Sequence, residues 1–464
     1  MKKFFILSAC LSSLLVAKTV DFKTVLNEAL SNNLELKAKK LNIDKAKADY
    51  KKANGYNYGK LSLSEDITKS NDALYVFGMK LESREATFRD FGFSDFLDGM
   101  NKGLLNTPAG QQQVLSDQPD DLNNPGSRTN FKTKLVYEVP IFTGFKLKYA
   151  KEMAALQVKA NKFKYAHDKN KLAIEVLKAY NGAVAAKYFI KALKTAKKTT
   201  LSLVKMISEF NKQGMATQID LLQAKKRNNE INAMLIKAKN KYQLALSYLQ
   251  FLTDDNTISS VGDFKIIIAP DKPLNELIKT ALKGRNDLKW MSANVKTMQK
   301  KVKMDESAYY PTIGAHLEYG FNDNRPTVSM KKDYYVAAVG AKWNIFDASR
   351  GASVQKSKIE AMQTNYYYDY MKKGIALDVK QKYLDLKSKK AIVSEKLTNK
   401  ELAQEIFKKY TYMYKQGMIN ITILLMKEAE ARKARAELIK ARYDEALAAA
   451  ELQKAIGDFV KEHK

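Results

Sequence analysis

The sequence predicts a mainly α-helical protein with a small β part, built from one helix–strand–strand–helix unit that occurs twice. Three observations predict this class. Two segments of about 65 residues contain no proline, four short segments alternate apolar and polar side chains, and similar residues recur in the same order in both halves. Only eight prolines and twenty glycines interrupt the 464 residues, and both residue types disfavour a helix interior.

The first residues have the pattern of an export signal. Two lysines precede an apolar stretch at 4–16, and Ala17 offers the small residue typical of a cleavage site. We expect residues 1–17 to be removed and the mature chain to begin near Lys18. Cys10, the single cysteine, lies inside this segment in a sequence that resembles a lipoprotein cleavage box. The apolar region before Cys10 is short for that processing, so lipidation is left open.

Four pairs of short segments match between the halves, which indicates a duplication. The pairs are Ala29–Leu36 with Ala281–Leu288, Tyr58–Leu61 with Tyr310–Ile313, Ile141–Gly144 with Ile345–Ala348, and Lys212–Met215 with Lys415–Met418. The offset falls from about 252 to about 204 residues after the second pair, so the first half carries an insertion of roughly 48 residues. We assign the first repeat to 18–262 and the second to 263–464.

The alternating segments predict β-strands near 60–67, 130–141, 312–321 and 334–346. Such alternation fits an amphipathic sheet on a soluble core. It also fits a membrane barrel with apolar side chains toward lipid and a belt of aromatic residues. Aromatic residues near the strand ends favour the barrel, and the predicted belt consists of Tyr137, Tyr319, Tyr335 and Trp343.

The long proline-free segments predict two helices, 146–210 and 351–413, each roughly 100 Å long at about 1.5 Å per residue. Their apolar residues recur at the three-four spacing of coiled coils. Shorter helices are predicted at Phe22–Ala53, Thr217–Leu252, Leu274–Ala308 and Ile421–Gly457. In each half the summed length of the two shorter helices is about that of the long helix. Stacked end to end, the shorter helices can therefore pair with the long one along its whole length. This arrangement predicts a tall α-barrel or bundle.

Four strands are too few to close a membrane barrel, since the smallest such barrels have about eight. A chain with four spanning strands must therefore share its barrel with copies of itself. Three copies give twelve strands, the natural cyclic solution. The sequence thus predicts a homotrimer.

In this organisation the chain resembles the TolC-like outer-membrane efflux protein family over essentially its whole mature length. The resemblance rests on the duplicated plan, on Ala29–Leu36 with its counterpart Arg285–Leu288, and on the strand exit Val139–Gly144. It implies a trimeric twelve-stranded barrel in outer-membrane lipid and a helical tunnel in the periplasm. It also implies a passive duct that docks a periplasmic adaptor (membrane fusion) protein and an inner-membrane pump, for efflux or type I secretion.

The resemblance further gives roles to residues where the long helices turn back. A positive φ at a helix end suits Gly214 and Gly417. The implied adaptor-docking tips are Gln213, Gly214, Met215, Gln416, Gly417 and Met418. Asp220 and Tyr414 match constriction positions of the family. Ile423 and Met426 are apolar where some members carry acids, so an acidic, cation-selective gate is in doubt.

No enzyme, cofactor or metal site is predicted. His167, His316 and His463 are far apart and lack a ligand partner three or four residues away. No phosphate-binding loop or nucleophile elbow occurs in the sequence.

The net charge of +30 comes mostly from lysine, with only about ten arginines. The lysines are mixed with acids along the helices, so we predict solvated helix faces. Arginine binds the phosphates of nucleic acids better than lysine does, so we predict no nucleic-acid partner. The alternative function is a soluble periplasmic coiled-coil scaffold or anionic-polymer-binding protein.

The long first loop, about Lys69 to Arg128, contains Phe77, Phe88, Phe91, Phe93 and Phe96. We expect these rings to fold the loop onto the mouth of the barrel.

Overall fold

The computed structural model describes residues 18–457 and 459–460, so the predicted signal segment and Cys10 lie outside the described residues. The chain divides into two compact units. The helical unit comprises 18–47, Leu156–Lys296 and the described residues from Met362 onward. The sheet unit comprises Ala48–Ala155 and Thr297–Ala361.

The described residues confirm a mainly helical chain with few strands. The first half contains β1 (Lys18–Val20), α1 (Phe22–Asn32), α2 (Leu34–Gly55), β2 (Lys60–Ser70), α3 (Ala73–Glu82), α4 (Phe93–Asn101), α5 (Pro108–Ser116), α6 (Asp120–Asn123), β3 (Arg128–Thr143), α7 (Lys146–Lys212), α8 (Gln218–Thr253) and β4 (Ile258–Val261). The second half contains α9 (Leu274–Gly284), α10 (Asn286–Glu306), β5 (Thr312–Asp323), β6 (Asp333–Lys342), α11 (Ala348–Lys415) and α12 (Ile421–Ile456).

The helix lengths agree between the halves. The long helices α7 and α11 have 67 and 68 residues. Helices α8 and α12 have 36 residues each. In the first half, α1 and α2 have 11 and 22 residues. In the second half, α9 and α10 have 11 and 21 residues. In each half the shorter helices therefore contain about as many residues as the long one.

Two of the predicted shorter helices are broken at one repeat position. At Asn33 the backbone leaves the helix with ψ of 119°. Its side-chain oxygen accepts the Leu36 N–H at 2.9 Å, and its amide donates to the Leu252 carbonyl at 3.1 Å. At the equivalent Arg285, ψ is 128°. A side-chain bond thus replaces a helical backbone bond at Asn33, whereas the Arg285 guanidinium donates to the Asp287 carboxylate and to groups on other helices. A hydrophobic pattern reveals neither arrangement.

Arg285 also ties the break to other helices of the helical unit. Its guanidinium lies 2.7 Å from a carboxylate oxygen of Asp287, 2.7 Å from one of Asp378 on α11, and 3.4 Å from the Ala455 carbonyl on α12. Although burial acts in the opposite direction, the Arg285 guanidinium lowers the pKa of Asp287. This network fixes the junction of α9 and α10.

The main core of the helical unit gathers apolar side chains from both repeats around α1, α7, α9 and α12. The parallel pair β1–β4 lies at this core, with Val20 and Val261 buried. Phe22 meets Tyr180 edge to face, with ring centroids 5.8 Å apart. Burial raises the pKa of Tyr180 to about 12.

The sheet unit contains one antiparallel four-stranded sheet with the order β2–β3–β5–β6. The two strands of the first repeat lie beside those of the second, with β2 and β6 at the edges. The ladder between β3 and β5 shifts register between Pro140 and Phe142. A bulge suits this point because proline has no N–H for the ladder.

The predicted strand near 334–346 is too long, because β6 ends at Lys342. The carbonyls that follow are bound by one side chain. The Arg350 guanidinium donates to the Asn344 oxygen at 2.8 Å and the Ile345 oxygen at 3.1 Å, and it also reaches Ala308. Sequence alternation continues past Lys342, but Lys342 pairs with Thr312, the first residue of β5, so β5 provides no ladder partner beyond it.

The long first loop folds into α3–α6 and docks on the loop end of the sheet mainly through polar contacts. Glu85 binds both Arg128 and Lys332, and Arg84 donates to the Lys331 and Asp333 carbonyls at 2.9 and 2.6 Å. The expected aromatic packing is only partial. Phe77 meets Phe91 at 5.1 Å, whereas four of the five phenylalanines remain largely exposed: Phe88, Phe91, Phe93 and Phe96.

Candidate functional site

The first helical turn joins α7 to α8 through Gly214, whose φ is +77°. The Gly214 N–H donates to the Asn211 carbonyl at 3.1 Å, and the Met215 N–H donates to the Phe210 carbonyl at 2.8 Å. The Asn211 amide closes the turn by donating to the Ala216 carbonyl at 2.9 Å. The end of α7 is therefore satisfied by a local left-handed cap.

The second turn joins α11 to α12 in the same way, with Gly417 at a φ of +72°. Met418 N–H donates to the Met413 carbonyl at 3.0 Å. Asn420 then caps α12 by accepting the Ile423 N–H at 3.0 Å. The turns expose the two methionines, Met215 by 62% and Met418 by 67%, and Gln213 and Gln416 are exposed beside them.

Asp220 uses its carboxylate within its own helix. With Thr217 it forms a capping box at the start of α8, in which the Thr217 N–H and hydroxyl both donate to Asp220 at 2.8 Å. The Asp220 N–H donates back to the Thr217 hydroxyl at 3.1 Å. A carboxylate here also suits the positive end of the helix dipole.

Tyr414 lies in a hydrophobic cluster beneath the turns, which we call the turn cluster. Its buried members are Leu203, Ile207, Leu221, Ala224, Tyr414, Ile421, Leu424 and Leu425. Tyr414 is only 8% exposed, and its ring stacks on Phe210 with centroids 6.3 Å apart. Burial, followed by the charge of Asp220, raises the pKa of Tyr414. The cluster takes side chains from all four helices and so packs the two turns together.

Glu428, a charged residue next to the turn cluster, was not identified from the sequence. Glu428 on α12 is 3% exposed and lies between two arginines. Its oxygens are 3.3 Å from Arg432, one turn further along α12, and 3.8 Å from Arg227 on α8. Burial raises the pKa of Glu428 even though both arginines oppose the shift. The i,i+4 spacing to Arg432 was the only sequence signal, and it is common on exposed helix faces.

A small polar cavity of about 160 Å³ adjoins the Arg285 network in the helical unit. His167, Glu451 and Lys454 are among its lining residues. Burial lowers the pKa of His167, and Glu451 pairs with Lys178 at 3.1 Å and Lys382 at 2.5 Å. Glu451 and Asp378 are thus paired with cations from other helices, which suits a structural role.

One face of the four-stranded sheet is apolar and exposed. The register aligns Leu63, Leu135, Tyr319 and Tyr335 across all four strands, and each of these side chains is exposed. The exposed apolar side chains of the sheet include Leu61, Leu63, Ile67, Leu135, Leu317, Tyr319, Tyr335 and Val339. Glu65, bonded to Thr133, is a charged residue on this otherwise apolar face. A largely apolar exposed surface of this kind marks contact with lipid or protein.

The opposite face carries paired polar groups. Lys134 lies 2.9 Å from Asp66, and the Tyr334 hydroxyl donates to Glu318 at 2.6 Å. His316 lies 3.3 Å from Glu318. The structure therefore places His316 in a polar cluster on this face of the sheet.

The four predicted belt residues lie at different levels of the sheet. Tyr319 and Tyr335 are cross-strand partners toward the loop end. Toward the helical end, the Tyr137 hydroxyl donates to the Tyr58 carbonyl at 2.7 Å. Trp343 follows β6, and its indole N–H donates to the Tyr309 carbonyl at 3.1 Å.

Within residues 18–457 and 459–460, none of the helices combines the length and the apolar composition that a membrane span requires. No cluster of three or more His, Cys, Asp or Glu side chains in these residues could hold a metal ion.

Comparison with solved structures shows the fold over almost the whole chain. CmeC of Campylobacter jejuni, an outer membrane channel, matches with a TM-score of 0.75 and 15% identity, covering 94% of this chain and 85% of that one. The outer membrane protein VceC of Vibrio cholerae matches at 0.73 and 12%, covering 94% and 96%. The open-state outer membrane channel MtrE of Neisseria gonorrhoeae matches at 0.71 and 14%, covering 94% and 89%.

The sequence was also compared with curated proteins and with family models. No curated protein matches. The family model described as outer membrane efflux protein matches residues 105–253 and 277–458, which is well over half of the sequence. The chain therefore belongs to the outer membrane efflux protein family.

Proposed function

We propose that this outer membrane efflux channel is the passive exit duct of a tripartite system, in which three copies share one barrel and the helical turns dock a periplasmic adaptor. Family membership gives the coarser function, efflux through a channel of the outer membrane with its helical part in the periplasm. The observation that carries the finer proposal is the exposed apolar face of a four-stranded sheet.

The strand lengths support a barrel that spans the membrane. Strands β2, β3, β5 and β6 have 11, 16, 12 and 10 residues, and a spanning strand needs about 9–11. Lipid cannot hydrogen-bond the free backbone of edge strands β2 and β6. We propose that β2 of one copy pairs with β6 of the next, so that three copies close a twelve-stranded barrel.

The two helical turns are the proposed adaptor-docking tips. Gln213 and Met215 on one turn, and Gln416 and Met418 on the other, present exposed side chains on backbones of the same conformation. Methionine adapts its shape to a partner. Gly214 and Gly417 supply the turn conformation and no contact of their own.

We also keep Asp220 and Tyr414 as proposed constriction residues, with distinct roles. The Asp220 carboxylate lies at the start of α8, where it fixes the path of the chain after the first turn. Tyr414 is buried against Phe210, so in this proposal it acts by holding the two turns together. An inner-membrane pump supplies the energy, and the duct has no catalytic residue.

The alternative is a soluble periplasmic scaffold or a protein whose only role is binding anionic polymers. Such a protein would leave the apolar sheet face in water, which disfavours it. Drug efflux and type I secretion both need the same duct, and the proposal covers both.

The test is membrane fractionation of cells, followed by native mass measurement of the detergent-extracted protein. We expect a species in the outer membrane with three times the mass of the mature chain. The subunit mass also reports whether residues 1–17 are removed and whether Cys10 carries lipid. A soluble monomer or dimer would overturn the duct.

A further inference from the structure

The charge of the chain is concentrated in its helical unit. From residue 18 onward, that unit contains 54 lysines and arginines against 29 acidic residues, whereas the sheet unit contains 24 against 21. Within the helical unit, α7 has no acidic residue between Glu175 and Glu209, and α8 has none between Glu230 and Asp254. These two stretches contain ten lysines.

The fold brings the two acid-free stretches together. Leu193 on α7 is buried against Leu235 and Ala238 on α8, so the helices pack side by side at this level. Lysines far apart in sequence thereby share one surface. The two acid-free stretches are exceptions to the general mixing of lysines with acids along the helices, and only the fold shows that they lie side by side.

A cleft of about 570 Å³ opens at this level, and we call it the lysine cleft. Lys187, Lys191 and Lys194 reach it from α7, and Lys239 reaches it from α8. The α7 lysines are spaced four and three residues apart, which places them on one helix face. The other lining residues are Tyr188, Ile190, Tyr242, Gln243, Ser260 and Asp263.

Some side chains of the lysine cleft are held by hydrogen bonds, and others are exposed ammonium groups without an ion pair in the described residues. Lys187 donates to the Val261 carbonyl at 2.5 Å, and Tyr188 donates to Asp263 at 2.9 Å while stacking on Phe264. Lys191, Lys194 and Lys239 are exposed and form no ion pair within the described residues. Three ammonium groups thus face solvent, with Asp263 as the acid of the cleft already bonded to Tyr188.

We propose that the lysine cleft binds an anionic glycan of the cell envelope through repeated carboxylates or phosphates. The helical part of an outer membrane efflux channel lies in the periplasm, where such polymers are accessible. Lysine is depleted at the cores of protein interfaces, where arginine and aromatic residues prevail. Flexible ammonium groups along one helix face suit a repeating polyanion.

The experiment measures binding of two soluble polyanions, polyglutamate and polyphosphate of matched length, to the purified full-length protein in detergent. We compare the wild type with the triple variant Lys191→Gln, Lys194→Gln, Lys239→Gln. A matched control, Lys380→Gln, Lys387→Gln, Lys408→Gln, removes three exposed lysines from α11, where acids lie two or three residues away. Circular dichroism checks that both variants keep their helical content.

The cleft variant is expected to weaken binding on the order of a hundredfold, at about 1 kcal/mol per lysine near an anionic surface. The control should change it by less than about tenfold. Tighter binding of polyglutamate would identify a carboxylate polymer, and tighter binding of polyphosphate a phosphate polymer. Equal losses in both variants, or no binding of either polymer at about 0.1 M salt, would overturn the proposal. Native mass of the same preparation tests the trimer separately.

Discussion

At the scale of single residues, the two turn glycines are required by backbone conformation alone. Gly214 and Gly417 have φ of +77° and +72°, and a Cβ built on either would meet no atom within 4 Å. Steric crowding is therefore absent, and the left-handed conformation by itself favours glycine at these positions. The sequence alone predicted this conformation because glycine follows the last helical residues in both repeats.

Replacing Gly214 or Gly417 with alanine should destabilise its turn by about 1–2 kcal/mol, the cost of a left-handed residue with a Cβ. Hydrogen–deuterium exchange should report opening of the turn on the order of tenfold more frequent. Gly374→Ala is the matched control. It is an exposed helical glycine with open space around it, and alanine there should stabilise α11 by about 1 kcal/mol. Equal effects at all three positions would contradict this account.

Glu428 shows what a sequence pattern does not reveal at this scale. A glutamate four residues before an arginine is typical of a solvated helix face. The fold instead buries Glu428 between Arg432 and Arg227. Burial raises its pKa above the ordinary value of 4.5.

The raised pKa of Glu428 predicts how stability changes with pH. Wherever the group is ionised, the folded chain bears the cost of burying the charge. As the pH falls through the folded-state pKa, the folded chain takes up a proton first and gains stability. This gain is complete below the unfolded value, near 4.5.

We therefore expect the thermal midpoint of wild type, relative to Glu428→Gln, to rise as the pH falls from 7 toward about 4.5. The midpoint is followed by circular dichroism at a series of pH values. Glu430→Gln, which removes a half-exposed partner of Lys427, is the control and should show no such relative gain. A difference between wild type and Glu428→Gln that does not vary with pH would refute the assignment.

At the scale of elements, the alternating strands were predicted from sequence, and their ends were decided by tertiary contacts. Strand β6 stops at Lys342 because its ladder partner there, Thr312, is the first residue of β5, and Arg350 binds the Asn344 and Ile345 carbonyls that follow. The predicted helices at Phe22–Ala53 and Leu274–Ala308 are each interrupted, at Asn33 and Arg285, and the side chains of these two residues bond to α8 and α11. Periodicity reports which face of an element is buried but not which distant group captures its backbone.

The two faces of β6 give a direct test of membrane contact. Val339 belongs to the apolar face and is 71% exposed, while its neighbour Ala338 points to the polar face opposite His316. Val339→Lys should cost about 2–4 kcal/mol if the apolar face meets lipid, whereas Ala338→Lys should cost little.

The measurement for this pair is the fraction of protein recovered in the outer membrane and its thermal midpoint in detergent. We expect Val339→Lys to lower both and Ala338→Lys to leave both near the wild-type values. Equal tolerance of the two substitutions would argue against lipid on the apolar face.

At the scale of the whole molecule, the proposed trimer predicts contact between opposite edges of the sheet. Strands β2 and β6 are separated within one chain by two other strands, which is about 14 Å at roughly 4.8 Å per strand. A disulfide needs Cα atoms within about 7 Å. Cysteines in β2 and β6 can therefore bond only between copies.

We expect Ser62→Cys combined with a cysteine at Val336, Ala338 or Gly340 to yield covalent dimers and trimers on oxidation. All these positions lie on the polar face. The chain has no cysteine after Cys10, so denaturing gels report only the introduced pairs. Each single-cysteine variant is the control. Absence of covalent oligomers at every position tested would contradict closure between β2 and β6.

The sequence by itself determined the mainly helical class, the low-proline long helices, the strand alternation and the two turn glycines. These follow from local preference and from periodic burial, which neighbouring residues specify. Only the tertiary structure decided that Tyr414 and Glu428 are buried and that the lysines of α7 and α8 share one cleft. Each of these depends on contacts between residues distant in sequence, and a single chain carries no local signal for the partner that completes them.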